Sequence, residues 1–93
     1  MDKQILEDTS AVARRLKNAR EDARLSQLEL AEKAEISQGF LAMVESNKKI
    51  PTLTTIFKIC RALEIRPAVL FEEKSPDKEI AKKEIITLIQ KNL

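Results

Sequence analysis

Along the chain, apolar residues return every third or fourth position and almost never every second one, which is helical spacing rather than strand spacing. The stretch "LEDTSAVARRLKNAREDA" sets Val12, Leu16 and Ala19 on one side, with Asp8, Thr9 or Ser10 available as N-cap, and predicts a first helix from about Ser10 to Ala23. In "LSQLELAEKA", Ser26 with Glu29 three residues later forms a capping box that starts a second helix near Gln27, whose buried edge is Leu30, Ala31 and Ala34. Ser37 is a good cap for a third helix running to about Ser46, with Ile36 before it in the staple position, and Asn47 tolerates the left-handed conformation that ends helices. Only about three residues then separate helices two and three, the spacing of a helix-turn-helix. Thr52 caps a fourth helix with a stripe of Leu53, Ile56, Phe57, Cys60 and Leu63; Pro67 opens a short fifth through Phe71. After the polar break "EEKSPDK", a last helix from Ser75 and Pro76 to about Asn92 gathers Ala81, Ile85, Leu88 and Ile89, widened by Ile86 and Leu93. That stripe either folds back on the body or meets another copy.

The third helix poses the functional question. Leu41 and Val44 share one side; Gln38, Gly39, Ala42 and Met43 cover the other, and none of these four is charged in a chain that is 34% Asp, Glu, Lys and Arg. A face left for solvent collects Lys and Glu. A face pressed on base edges wants small groups, amides and apolar tips.

Composition removes other classes. With 93 residues the chain makes one small domain. A single Gly, three Pro and no Trp or Tyr favour helices and argue against an all-β fold. Lacking His, the chain has no Cys/His zinc site and no His-dependent nucleophile, so no cofactor, metal or enzymatic role is expected. One cysteine, Cys60, fits a reducing compartment and reads as a small buried hydrophobe. No apolar run reaches the ~18 residues that cross a bilayer and the N-terminus is too polar for a secretory signal, so no membrane partner and a cytoplasmic location are expected. The net charge of +2 is unremarkable, but five basic residues between Ser46 and Arg66 face one acid, and Arg14, Arg15, Lys17 and Arg20 face two between Ser10 and Ala23. Lys48 and Lys49 directly follow the bare helix.

The ordered set Leu25-Ser26-Gln27, Leu30-Ala31, Ile36-Ser37, Val44-Glu45, Pro51 and the Leu63 to Leu70 tail resembles the Cro/C1-type helix-turn-helix domain of phage repressors and many bacterial regulators, over roughly Val12 to Phe71. The resemblance implies an all-α, five-helix lambda-repressor-like DNA-binding body over about 10–72, here with an additional C-terminal helix over about 75–92. It implies a double-stranded DNA partner, a homodimer and a transcriptional regulator, most simply a repressor. It also implies that Gln27 holds a phosphate and braces Gln38, that Gln38, Gly39, Ala42 and Met43 read bases, and that Ser37, Ser46, Asn47, Lys48 and Lys49 line the phosphate side. An Arg20–Glu45 ion pair would lock the recognition helix. The family prefers glycine where this chain has Arg24, Glu35 and Asn47, so the turn is expected to be strained or differently wound. Two rivals remain open: an antitoxin of the same fold with a toxin partner, and a helical interaction module anchored by Phe40 and Met43.

Overall fold

A computed structural model of the protein describes residues 2–72, and in that span five helices follow one another. They are α1 (Lys3–Asp22), α2 (Gln27–Ala34), α3 (Gln38–Glu45), α4 (Leu53–Leu63) and α5 (Ala68–Phe71). The helix expected over 75–92 lies outside the described residues. α2 packs on α3 and α4, while α1 packs on α3 and α5. Each helix sends one aliphatic side chain into the centre with no exposure at all: Leu16, Leu30, Leu41, Ile59 and Leu70. Burying one such side chain contributes about 1.5–3 kcal/mol. Ala31 and Ala34, also buried, keep α2 thin enough to sit close to its neighbours.

Local chemistry accounts for the helix starts. Ser26 Oγ accepts from Glu29 N at 3.0 Å while Ser26 N donates to Glu29 Oε1 at 3.0 Å, the reciprocal box that opens α2. The Ser26 backbone N–H first, and then the Ser26 hydroxyl beside it, hold the Glu29 carboxyl below its ordinary pKa. Ser37 accepts from Phe40 N at 3.1 Å and Thr52 from Thr55 N at 3.2 Å, opening α3 and α4.

Two expectations about the helices need correcting. α1 begins at Lys3, capped by Asp2 accepting from Gln4 N at 2.7 Å, and not near Ser10. No Gly or Pro interrupts "KQILEDTS", and Thr9 spends its hydroxyl on the Leu6 carbonyl at 3.1 Å, so a residue that could cap a helix instead rides inside one. On α4 the buried side is Ile56, Ile59, Cys60 and Leu63, whereas Leu53 and Phe57 are exposed. The buried arc is rotated because α2 and α4 meet along it.

Helix ends follow a single rule. Arg24, Glu35, Asn47 and Glu64 all have φ between 56° and 60°, and each is followed by an N–H that reaches back five residues: Leu25 to Arg20, Ile36 to Ala31, Lys48 to Met43 and Ile65 to Cys60, at 2.8–3.1 Å. This is the Schellman termination. Of the two outcomes expected for the turn, strain or a different winding, the structure has the first: it is wound as glycine would wind it, by residues that carry a Cβ. Left-handed backbone costs a non-glycine residue on the order of 1 kcal/mol. Glu64→Gly is accordingly expected to stabilise the protein by about 0.5–1 kcal/mol, part of the relief being offset by the freer unfolded chain. A melting temperature raised by several degrees in calorimetry checks this. A lower one contradicts the account of strain.

Candidate nucleic-acid interface

The Schellman turns also single out one position. After Arg24, Glu35 and Glu64 comes an apolar residue, Leu25, Ile36 or Ile65, and each is half-buried against the core, as that motif ordinarily requires. After Asn47 comes Lys48, which is exposed. A position that breaks the local rule its three counterparts obey is a candidate for function.

α3 has two unlike sides. Leu41 and Val44 are buried, and Phe40 is half-buried against the core. Gln38 and Gly39 are exposed, Met43 is 42% exposed and Ala42 is half-buried beside them. The inward packing of Phe40 corrects its sequence-based reading as an anchor for a protein partner. Gly39 has helical backbone, and a Cβ added there would meet nothing within 4 Å. The fold itself has no use for a glycine at that position.

The last turn of α3 is drawn tight by one carbonyl. Met43 O accepts from Lys48 N at 2.8 Å, from Lys49 N at 3.2 Å and from the Ser46 hydroxyl at 3.2 Å. The backbone of this loop is thereby turned toward the helix, and the exposed Lys48 and Lys49 side chains are its outward-facing cations. Asn47 is half-buried, and Ser46 is exposed with its hydroxyl proton already donated. Ser37 is exposed too; its oxygen accepts from Phe40 N, and its own O–H is left to donate elsewhere. On α2 the Gln27 side chain donates to Glu45 Oε1 at 3.2 Å, so its bracing partner is Glu45 and not Gln38. One amide hydrogen of Gln27 and its carbonyl oxygen remain for another ligand.

What aims α3 is a partly buried ionic node. Arg20 Nε donates to Glu45 Oε2 at 2.8 Å and Arg20 Nη2 donates to Glu45 Oε1 at 2.9 Å, while Arg20 Nη1 donates to the Leu25 carbonyl at 2.8 Å. The Glu45 side chain is 3% exposed and that of Arg20 11%. The hydrogen bond with Glu45 raises the Arg20 pKa above its already high ordinary value. Thus the end of α1, the turn after it, the start of α2 and the end of α3 are tied together by one ion pair. The two-pronged geometry fixes angle as well as distance. Arg15 is likewise used internally, donating to the Leu70 carbonyl at 3.0 Å. Two of the four basic residues counted on the first helix are therefore structural, and free positive charge lies rather with Lys48 and Lys49 at the end of α3.

Two helices joined by the three residues Glu35–Ser37, the second braced at its far end and presenting an uncharged outer side, define a helix-turn-helix of the kind that docks on duplex DNA. Comparison with known proteins gives the family. A family model described as "Helix-turn-helix" matches residues 16–70, and the chain belongs to that family, the Cro/C1-type helix-turn-helix proteins, which are DNA-binding transcription regulators and not enzymes. The chain is 35% identical over 68 residues to the immunity repressor protein of Bacillus phage phi105, an alignment that covers 73% of this chain and 47% of the repressor. It thus spans about half the length of that relative. Among solved structures it is similar to the restriction-modification controller protein C.AhdI from Aeromonas hydrophila, with 31% identity and a TM-score of 0.68, covering 70% of this chain and 98% of that one. It is similar as well to the N-terminal DNA-binding domain of the biofilm regulator SinR from Bacillus subtilis, with 30% identity and a TM-score of 0.57, covering 67% of this chain and 91% of that domain.

Proposed function

We propose that the chain represses transcription by binding an operator as a homodimer, with α3 in the major groove. Gln38 reads a base edge, Ala42 and Met43 offer apolar contact to thymine methyls, and Gly39 lets the helix come close. Lys48 and Lys49, with Asn47 and Ser37, hold the phosphates on either side, and Gln27 holds one at the start of α2, whereas Ser46, whose hydroxyl and amide protons are both donated within α3, is left out of that set. The observation that carries this reading is Lys48. Three turns with the same left-handed conformation are followed by an apolar residue that packs inward, and the fourth, at the end of the helix with the uncharged outer side, is followed by an exposed cation. The phage immunity repressor supports repression as the output. The half-buried state of Phe40 weighs against a protein-only module.

Selection of bound duplexes from a random library tests the whole reading. A palindrome whose half-sites lie about 34 Å apart is expected, since a two-fold dimer sets one helix in each of two successive major grooves. Recovery of no consensus overturns it.

Two substitutions test its parts. Lys48→Ala is expected to weaken binding to all sequences alike and to lower the slope of log affinity against log salt by about one, because one fewer counterion is released. Gly39→Ala is expected to stabilise the free protein by about 0.5–1 kcal/mol, the helix-propensity gain. The same methyl is expected to weaken operator binding. Stability and affinity moving in opposite directions is the signature of a glycine kept for an outside surface; unchanged affinity would remove Gly39 from the contact.

A further inference from the structure

Away from α3's outer side lies an apolar groove of about 320 Å³. One wall is α1 at Val12 and Leu16, the other is Ile50 and Leu53 at the entry to α4, and Phe71 stands at its edge. Ile50 is 57% exposed, Leu53 65% and Phe71 55%, so three large apolar side chains around one hollow are left to water. Isolated exposed apolar residues are ordinary, but a contiguous set lining a concave surface is a docking site.

We infer that the occupant is the C-terminal segment of the same chain, residues 76–92, which lies outside the described residues. Phe71 is both part of the groove's lining and the last residue of α5, and the described chain ends at Glu72, so the segment is tethered at the groove itself. A short flexible tether holds its ligand at an effective concentration in the millimolar range. The sequence of the segment fits. Wound as a helix it places Ala81, Ile85, Leu88 and Ile89 at i, i+4, i+7 and i+8, a stripe suited to a groove between helices. Only Glu72, Glu73, Lys74 and Ser75 separate it from Phe71. Asn47 and Lys49 also line the groove, so the seated segment braces the loop that follows α3. The inference stands on the groove and the tail sequence and does not require the DNA reading.

A nitroxide on the full chain tests it. Cys60 is buried, and that burial pushes its thiol pKa up, so a thiol reagent goes to a cysteine introduced by Gln90→Cys. With isotope and nitroxide on the same chain, the methyl signals of Val12, Ile50 and Leu53 are expected to be lost to paramagnetic broadening. In a mixture of isotope-labelled chains without nitroxide and unlabelled chains with it, those signals are expected to survive. Ile85→Asp with Ile89→Asp is expected to restore them in the first sample. Loss of signal in the mixed sample would assign the groove to a second copy and overturn the inference. So would intact signals in the first sample, or broadening that persists in the doubly substituted chain.

Discussion

Arg20→Ala is expected to cost about 3–5 kcal/mol of folding stability, the largest effect of any charged residue in the described structure. Three donors leave with the guanidinium, and the Glu45 carboxylate, 3% exposed, is stranded without a counterion. A small domain commands only about 5–15 kcal/mol in total, so the variant should sit near the edge of folding. Urea unfolding followed by far-ultraviolet circular dichroism measures the loss. Replacing both partners by apolar residues of similar size, Arg20→Met with Glu45→Met, is expected to recover most of it, because the cost lies in the abandoned charge and not in the absent attraction. A single-variant loss below about 1 kcal/mol would place the pair among ordinary surface ion pairs and remove its assigned role in orienting α3.

Gln38→Ala is expected to act on recognition instead of folding. The side chain is exposed and the helix it opens is capped by Ser37, so stability should hardly change. What disappears is a side-chain amide able to pair with adenine N6 and N7 through two hydrogen bonds, and discrimination at one base pair should fall by about 1–3 kcal/mol. Fluorescence anisotropy on the selected operator and on duplexes altered one pair at a time resolves the effect to a position. Uniform weakening on every duplex would make Gln38 a backbone contact. An unaltered preference would detach α3 from base reading.

These two residues show how different parts of the site become visible. The cap at Ser37, the box at Ser26 and Glu29 and the left-handed Asn47 are written in residues three or four apart, and the structure places them where that chemistry requires. So too the uncharged side of α3, because Leu41 and Val44 repeat at helical spacing and oblige the residues between them to face outward. The left-handed Glu64 has a fainter signal: Glu64-Ile65 repeats the pattern of Arg24-Leu25 and Glu35-Ile36, an end residue followed by an apolar one. The start of α1 is not legible locally, for a physical reason. Thr9 bonds equally well to a carbonyl behind it as to an amide ahead of it, and only the surrounding helix decides which.

Local sequence, then, determined where α2, α3 and α4 begin, that α3 ends at a left-handed Asn47, and which side of α3 is uncharged, since each of these rests on bonds and spacings within one or two turns. Apart from the Arg20–Glu45 pair, which the family resemblance implies, tertiary structure alone decided which side chains are spoken for. Arg15 finds its acceptor 55 residues away, Arg20 and Glu45 meet across 25, and Gln27 reaches Glu45 across 18. A charge count cannot anticipate such pairings, because a partner distant in sequence becomes a neighbour only when the helices have packed. Their packing is also what turned a plain lysine after Asn47 into the exception among four equal turns.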